Sequence, residues 1–156
     1  MNSGNNGTLA STLNLTKKKI IPYIDLAYST EMALGSYWSQ LELREKKIFE
    51  RDIKNSLINE YVDILSDLTI WEDIKISVNK DLNQNGNLAR VKVSVFLEDE
   101  VQGTTVTLKL IRKNRWKIYD LVYQSISIVD MEKVGYDSKI KRQGLEKLIQ
   151  KMLKKS

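Results

Sequence analysis

The hydrophobic pattern of this chain changes its period once, near Ile70, and this change constrains the fold more than any other feature. Between Leu41 and Leu65 the large apolar residues recur every three to four positions, with charged and amide side chains between them. That spacing predicts one long amphipathic helix. From Ile70 onward the period becomes two, as in strands that bury one face. Helical and extended patterns separated in this way favour the α+β class.

The extended half of the chain divides into four predicted strands joined by turn-like segments. The strands cover 74–78, 89–97, 106–110 and 116–122. Because the connections have the length and composition of hairpin turns, we expect an antiparallel sheet of about four strands. Alternation continues beyond the fourth strand, which is therefore expected to extend through Ile126 and Ile128.

Two further helices are expected on either side of these patterns. Asp25 is a plausible N-cap for a short helix that ends or kinks at Gly35. A last helix is predicted over 138–153, where the apolar residues lie on one stripe. We expect residues 1–19, rich in Asn, Ser, Thr and Gly over most of their length, to form a flexible leader before a single domain over 20–156.

The composition excludes most familiar catalytic devices. The chain has no Cys and no His, so thiolate zinc sites, Ser-His or Cys-His nucleophiles and histidine proton shuttles are impossible. No metal or cofactor is expected. Asp120, between Tyr119 and Leu121 in an apolar strand, is the one candidate general base, but a structural carboxylate is the favoured interpretation.

The net charge of +5 is concentrated near the C-terminus. Residues 139–155 hold seven basic side chains against Glu146 alone. The apolar stripe of this segment favours a helix that packs on a core and turns its lysines to water, so nucleic-acid binding is not expected. No stretch approaches the roughly 20 apolar residues that cross a bilayer, and a membrane-spanning protein is not expected either.

Several motifs, in order, resemble the MlaC family of periplasmic phospholipid-binding proteins, also known as toluene-tolerance proteins. They are Pro22 with Asp25, Ala33–Trp38 followed by Arg44–Phe49, Trp116–Leu121, Ser127–Val129 and Gln143–Ile149. The resemblance covers Ile20 to Met152. One departure is Gln124-Ser125, where the family usually has Glu-Gly, and the N-terminal helical region is shortened.

The resemblance implies a non-enzymatic carrier with phospholipid as cargo. Such a carrier works in the periplasm between an outer-membrane lipoprotein complex and an inner-membrane ABC transporter with its MCE-domain protein. The native signal peptide is then expected to be absent from this chain. The implied fold is a curved sheet related to the nuclear-transport-factor-2-like group, with helices closing a cavity for the acyl tails over it.

Strand phase and helix stripes together predict the residues that line this cavity. They are Leu34, Tyr37, Trp38, Phe49, Ile53, Leu57, Tyr61, Val91, Val93, Val95, Val106, Leu108, Leu110, Ile118, Val122, Leu145 and Leu148. The same residues would also make an ordinary filled core. Two alternatives therefore stay open: a small pocket enzyme on the same scaffold that uses Asp120, and a non-catalytic protein-interaction module.

Overall fold

The first half of the described chain is helical. The computed structural model describes residues 13–14, 16–69, 74–78, 83–97 and 104–155. Its first elements are a π-helical turn over Thr16–Ile20, a 3-10 turn over Ile21–Tyr23, helix α1 over Leu26–Leu34, a 3-10 segment over Gly35–Gln40 and helix α2 over Leu43–Thr69. Of the predicted leader, residues 1–12 and 15 lie outside the described part, and residues 13–14 and 16–19 are helical.

Both ends of helix α1 are defined by identifiable residues. Asp25 Oδ1 accepts a hydrogen bond from the Tyr28 backbone N–H at 3.0 Å, so the predicted N-cap is confirmed. At the other end, Gly35 has a φ of +58° and lies against the Lys133 ammonium. A side chain there would be strained by this backbone conformation, which explains why glycine ends the helix.

Helix α2 confirms the long helix predicted from the apolar spacing. It buries a single stripe formed by Phe49, Ile53, Leu57, Tyr61 and Ile64, whose spacings are four, four, four and three residues. Residues on the opposite side, such as Lys54 and Asn55, are exposed. One face of α2 therefore packs on the protein interior along most of its length.

The sheet is antiparallel and follows the predicted hairpins. Its strands are β1 (Ile74–Val78), β2 (Asn83–Asn85), β3 (Leu88–Leu97), β4 (Thr104–Arg112), β5 (Trp116–Tyr123) and β6 (Ile126–Ser127). They are ordered β1-β3-β4-β5-β6, and the short β2 also pairs with β3. The α+β class and the four long strands are thus confirmed, with two short strands added. The connection between β3 and β4 includes residues 98–103, which lie outside the described part of the chain.

The C-terminal helices differ from the prediction. Helix α3 covers Ile128–Gln143 and helix α4 covers Leu145–Lys154. The expectation that Ile128 continues the fourth strand is wrong, because the Ser127 hydroxyl accepts a hydrogen bond from the Asp130 N–H at 3.1 Å and starts a helix there. The single helix over 138–153 is also wrong, because Gly144, at a φ of +89°, separates two helices.

Candidate functional site

The helices bring five predicted site residues together in the interior. Leu34 of α1 and Phe49, Ile53, Leu57 and Tyr61 of α2 are at most 3% exposed and belong to one buried apolar cluster. The Phe49 and Tyr136 rings meet edge to face, with 5.5 Å between the ring centroids. These five predicted residues therefore share one interior surface.

Burial keeps the Tyr61 phenol neutral. Removal from water raises the pKa of Tyr61 far above its ordinary value of 10.0, and the nearby Asp120 carboxylate raises the pKa further. A neutral phenol adds no charge to the apolar layer. Tyr61 therefore suits a surface that contacts hydrocarbon.

The sheet contributes a second apolar surface to the same cluster. Val106 of β4 is buried within it, and Leu108 and Ile118 pack against it half-buried. The strand register places Val106 opposite Val93 and Leu108 opposite Val91, so these four side chains share one face of the sheet. We refer to it as the inner face.

A register shift in β5 changes which of its residues lie on the inner face. Lys109 pairs with Asp120, but the next residue, Leu110, pairs with Ile118, which leaves Tyr119 as an extra residue of β5. Beyond this bulge the alternation is inverted.

The prediction that Val122 shares a face with Ile118 is therefore wrong. Val122 pairs with Thr107 and lies on the outer face, and Leu121 and Tyr123 take the inner positions. Leu121 is buried in the apolar cluster, and Tyr123 packs against it. Strict period-two alternation could not reveal this change of phase.

Part of the inner face extends beyond the buried cluster. Val91, Val93 and Leu110 lie on it by register, are half-buried, and are outside the apolar cluster of the described residues. The side chain of Val95, also predicted to line the site, is outside the described part of the chain. The apolar surface of the inner face therefore extends beyond the part that packs in the cluster.

The remaining predicted residues lie in the cluster or beside it. Tyr37 and Trp38, in the 3-10 segment after α1, are half-buried against it, and the Lys46 ammonium is 4.9 Å from the centroid of the Trp38 ring. In α4, Leu148 is buried in the cluster and Leu145 packs on its edge. The 3-10 segment and α4 therefore pack on the same apolar cluster.

The Asp120 carboxylate is buried and makes four contacts. It is 2% exposed and accepts hydrogen bonds from the Leu121 N–H at 2.8 Å, the Val129 N–H at 3.1 Å and the Ser127 hydroxyl. Lys109 Nζ lies 3.3 Å from the same carboxylate. Asp120 thus ties β5 to the start of α3, the structural role favoured from the sequence.

Tyr119, the neighbour of Asp120 in β5, has contacts of its own. The Ser29 hydroxyl donates to the Tyr119 carbonyl at 2.7 Å, and the Tyr28 and Tyr119 rings meet edge to face at 4.9 Å. Partial burial, with smaller contributions from Tyr28 and Asp120, raises the pKa of Tyr119 above its ordinary value. These contacts join α1 to β5.

A separate cavity lies between α2, α3 and α4. It has a volume of about 530 Å³, and Leu148 is its one member of the predicted lining. Basic residues dominate its wall. The sequence pattern missed this cavity because it depends on how three helices pack, although the cluster of positive charge at 139–155 was a partial signal.

None of the described helices is both long enough and apolar enough to cross a membrane. Within the same part of the chain, no group of three or more Asp and Glu side chains is arranged to hold a metal ion.

Comparison with known proteins places the chain in a family. The family model described as MlaC protein matches residues 2–154. A relative from Haemophilus influenzae, named intermembrane phospholipid transport system binding protein MlaC, is 23% identical over 141 residues, which are 88% of this chain and 65% of the relative. The chain thus spans just under two thirds of that relative's length.

A solved structure shares the fold. The phospholipid-binding protein from Ralstonia solanacearum, solved in complex with a phospholipid, superposes with a TM-score of 0.75 at 21% identity. The match covers 96% of this chain and 82% of that protein. Because the family model spans nearly all of the chain, this protein belongs to the MlaC family.

Proposed function

We propose that this chain is a periplasmic phospholipid carrier that holds two acyl tails between the inner face of its sheet and helices α1 and α2. The observation that carries the proposal is the inner face itself, where Val91, Val93 and Leu110 extend an apolar surface beyond the buried cluster. An apolar surface continuous with the interior suits hydrocarbon cargo. Family membership and the fold shared with a phospholipid-binding protein support the same function.

The energetics of cargo binding require such a surface. Each buried CH₂ group contributes about 0.8 kcal/mol, so two acyl chains contribute on the order of 20 kcal/mol before the costs of ordering and association. Only a continuous dry surface supplies that gain. The cluster around Phe49 and Ile53 and the adjoining inner face form such a surface once the helices move apart from the sheet.

The proposed lining keeps the predicted set with one replacement. The helical wall consists of Leu34, Tyr37, Trp38, Phe49, Ile53, Leu57 and Tyr61, with Leu145 and Leu148 at its edge. The sheet wall consists of Val91, Val93, Val95, Val106, Leu108, Leu110 and Ile118, and Leu121 and Tyr123 take the place of Val122. The lipid headgroup remains outside, in water.

The carrier exchanges lipid with two membrane systems. We place it between an outer-membrane lipoprotein complex and an inner-membrane MCE-domain protein with its ABC transporter, the context that the family resemblance implies. The relative named as an intermembrane phospholipid transport binding protein supports this placement. No reaction is proposed, because the four contacts of Asp120 account for its burial without catalysis.

Native mass spectrometry of the freshly purified protein, followed by organic extraction, tests the function. We expect two-chain phospholipid to be released, with a mass matching the difference between bound and denatured protein. A protein that purifies without lipid, and remains without it after incubation with liposomes, would contradict the proposal. That result would favour the interaction module, since the interior would then serve as a filled core.

A further inference from the structure

The cavity between α2, α3 and α4 has a wall of concentrated positive charge. Its basic residues are Arg51, Lys139, Arg142, Lys151, Lys154 and Lys155. With Asp52 as the one carboxylate, the lining carries a net charge of +5, which equals the net charge of the whole chain. Asp52 is itself engaged, because it accepts a hydrogen bond from the Tyr136 hydroxyl at 2.7 Å.

The cavity also has an apolar part, which is less exposed than its basic residues. Ile48 of α2 and Leu148 and Met152 of α4 form this part, and Leu148 also belongs to the buried cluster. The cavity therefore offers cations beside a hydrophobic base. A ligand that matches both has an anionic end and a short carbon portion.

One polar atom in the lining is buried without a partner. Gln143 Oε1 is shielded from solvent and makes no hydrogen bond within the described part of the chain. A buried acceptor left unpaired costs about 1–3 kcal/mol. Because the amide oxygen and nitrogen exchange places by rotation of the side chain, Gln143 is able to donate to an anion or accept from its hydroxyl.

The shape favours a discrete ligand over a flat membrane. A basic amphipathic helix that lies on a bilayer keeps its apolar face free to enter the lipid. In α4 that face is already used, because Leu148 and Ile149 are buried and Leu145 and Met152 pack against the cluster. The volume of about 530 Å³ lies within the roughly 300–1,000 Å³ of small-molecule sites.

We propose that this cavity binds a phosphate ester, with the phosphate among the basic side chains and a short carbon portion on Ile48, Leu148 and Met152. Arginine and lysine bind phosphate oxygens through charge-assisted hydrogen bonds. The site shares only Leu148 with the proposed acyl layer and does not rest on lipid carriage. The ester group belongs either to a soluble metabolite or to the headgroup of a membrane phospholipid.

Titration of the full chain with inorganic phosphate and with butyl phosphate, followed by backbone amide NMR, tests the site. Both probes lack long acyl chains and so do not report on the acyl layer. We expect shifts centred on residues 143–155, and about tenfold tighter binding of butyl phosphate because part of its chain leaves water. Absence of shifts there with both probes would overturn the proposal.

A pair of variants separates a specific site from general positive charge. Arg142→Gln/Lys151→Gln removes two exposed cations from the cavity wall, and Lys17→Gln/Lys18→Gln removes two exposed cations elsewhere. We expect the first variant to bind butyl phosphate about tenfold more weakly and the second to bind as the wild type. Equal losses in both, or no loss in either, would overturn the site.

Vesicles identify the source of the phosphate. Phosphatidylglycerol vesicles that sediment wild-type protein but not Arg142→Gln/Lys151→Gln, while phosphatidylcholine vesicles sediment neither, would assign the site to membrane headgroups. Butyl phosphate binding without vesicle binding would assign it to a soluble ester. Vesicle binding without butyl phosphate binding would replace the cavity site with surface attraction. Lipid extraction of the same variant reports separately on cargo.

Discussion

The Asp120 carboxylate accepts a hydrogen bond from the Ser127 hydroxyl at 2.5 Å, and the same hydroxyl caps α3 by accepting from the Asp130 N–H at 3.1 Å. One side chain of β5 thereby fixes the first turn of α3. The Val129 N–H donates to the other carboxylate oxygen, so the strand end and the helix start form one hydrogen-bonded unit. The relative position of sheet and helix is determined here.

Asp120→Asn is expected to destabilise the protein by about 3 kcal/mol. The Asn side chain carries no charge, so the half-buried Lys109 loses the carboxylate with which it pairs. The NH₂ group of Asn also replaces a carboxylate oxygen that accepts hydrogen bonds, so it faces another donor. Ser127→Ala is expected to cost about 2 kcal/mol because the helix cap is lost. Urea unfolding measures both. Asp63→Asn, on the exposed side of α2, is the control. A similar small change in the free energy of unfolding for all three variants would contradict the role of Asp120.

The turn between β5 and β6 uses two residues that its conformation disfavours. Gln124 and Ser125 have φ values of +51° and +64°. Two consecutive left-handed residues are typical of a type I′ hairpin turn, which prefers glycine at its second position. The family usually has glycine at the position of Ser125, so this departure leaves strain in the turn.

Ser125→Gly is therefore expected to stabilise the protein by about 0.5–1 kcal/mol. Ser138→Gly is the matched control, since Ser138 is an exposed residue of α3 and glycine there is expected to cost about 0.5 kcal/mol. Thermal unfolding of both variants measures the difference. A lower melting temperature for Ser125→Gly would show that the turn is not strained by its serine.

Glu132 makes stability depend on pH. Desolvation raises its pKa above the ordinary value of 4.5, and Asp52 and Glu60 add to that rise, while the hydrogen bond from Ser56 and the charge of Lys139 oppose it. The folded protein therefore holds this proton more tightly than the unfolded chain. The stabilisation is fully present below pH 4.5 and is lost as the pH rises through the raised pKa.

Glu132→Gln is expected to mimic the protonated state. Its amide oxygen still accepts from Ser56, and no charge has to be buried. The variant should unfold at a higher urea concentration than the wild type at pH 7, and the difference should disappear at about pH 4. Asp63→Asn again provides the exposed control. A larger gain at pH 4 than at pH 7 would refute the assigned direction.

The sequence pattern predicted helix α2 and the four long strands because their apolar residues keep one period over many positions. The part of helix α3 before Ser138 escaped prediction because its apolar residues follow no single stripe: Ile128, Val129 and Tyr136 are buried, but Met131 and Val134 are exposed. Its start depends on the hydrogen bond from the Ser127 hydroxyl to the Asp120 carboxylate, which joins the two strands of the hairpin. Contacts of this kind arise only in three dimensions.

The candidate site was predictable to a similar extent. Phe49, Ile53 and Leu57 could be assigned because a helix of known period fixes their common face. Val122 could not, because the extra residue Tyr119 inverts the alternation of β5 and nothing in the local sequence marks the bulge. The cavity with Arg142 and Lys151 required the packing of three helices, which periodicity does not contain.

Val93→Asp is expected to remove most of the phospholipid that the protein carries. A carboxylate on the uncovered part of the inner face places a charge against the acyl tails, and occupancy should fall at least about tenfold. Thr105→Asp adds the same charge to the exposed outer face and should leave cargo unchanged. Extraction and mass spectrometry measure lipid per protein. Equal lipid content in both variants would exclude Val93 from the acyl layer.

Cross-linking Ile24 to Ile118 tests whether α1 moves when lipid is transferred. The two residues form a bridge next to the start of α1, and the Asp25 N–H donates to the Ile118 carbonyl at 2.9 Å. Neighbouring strands lie about 4.8 Å apart, within the Cα separation that a disulfide spans. The chain has no other cysteine, so Ile24→Cys/Ile118→Cys forms a single defined bond.

If the helices must move away from the sheet to release cargo, the oxidised variant should retain bound phospholipid but transfer it between vesicles at least about tenfold more slowly. Reduction of the same sample should restore the rate, which separates the lock from the effect of two smaller side chains. Ser94→Cys/Thr105→Cys, which joins β3 to β4 without touching a helix, is the control. Equal transfer by oxidised and reduced Ile24→Cys/Ile118→Cys would mean that lipid leaves without movement at this end of α1, and the opening would then have to lie at α2.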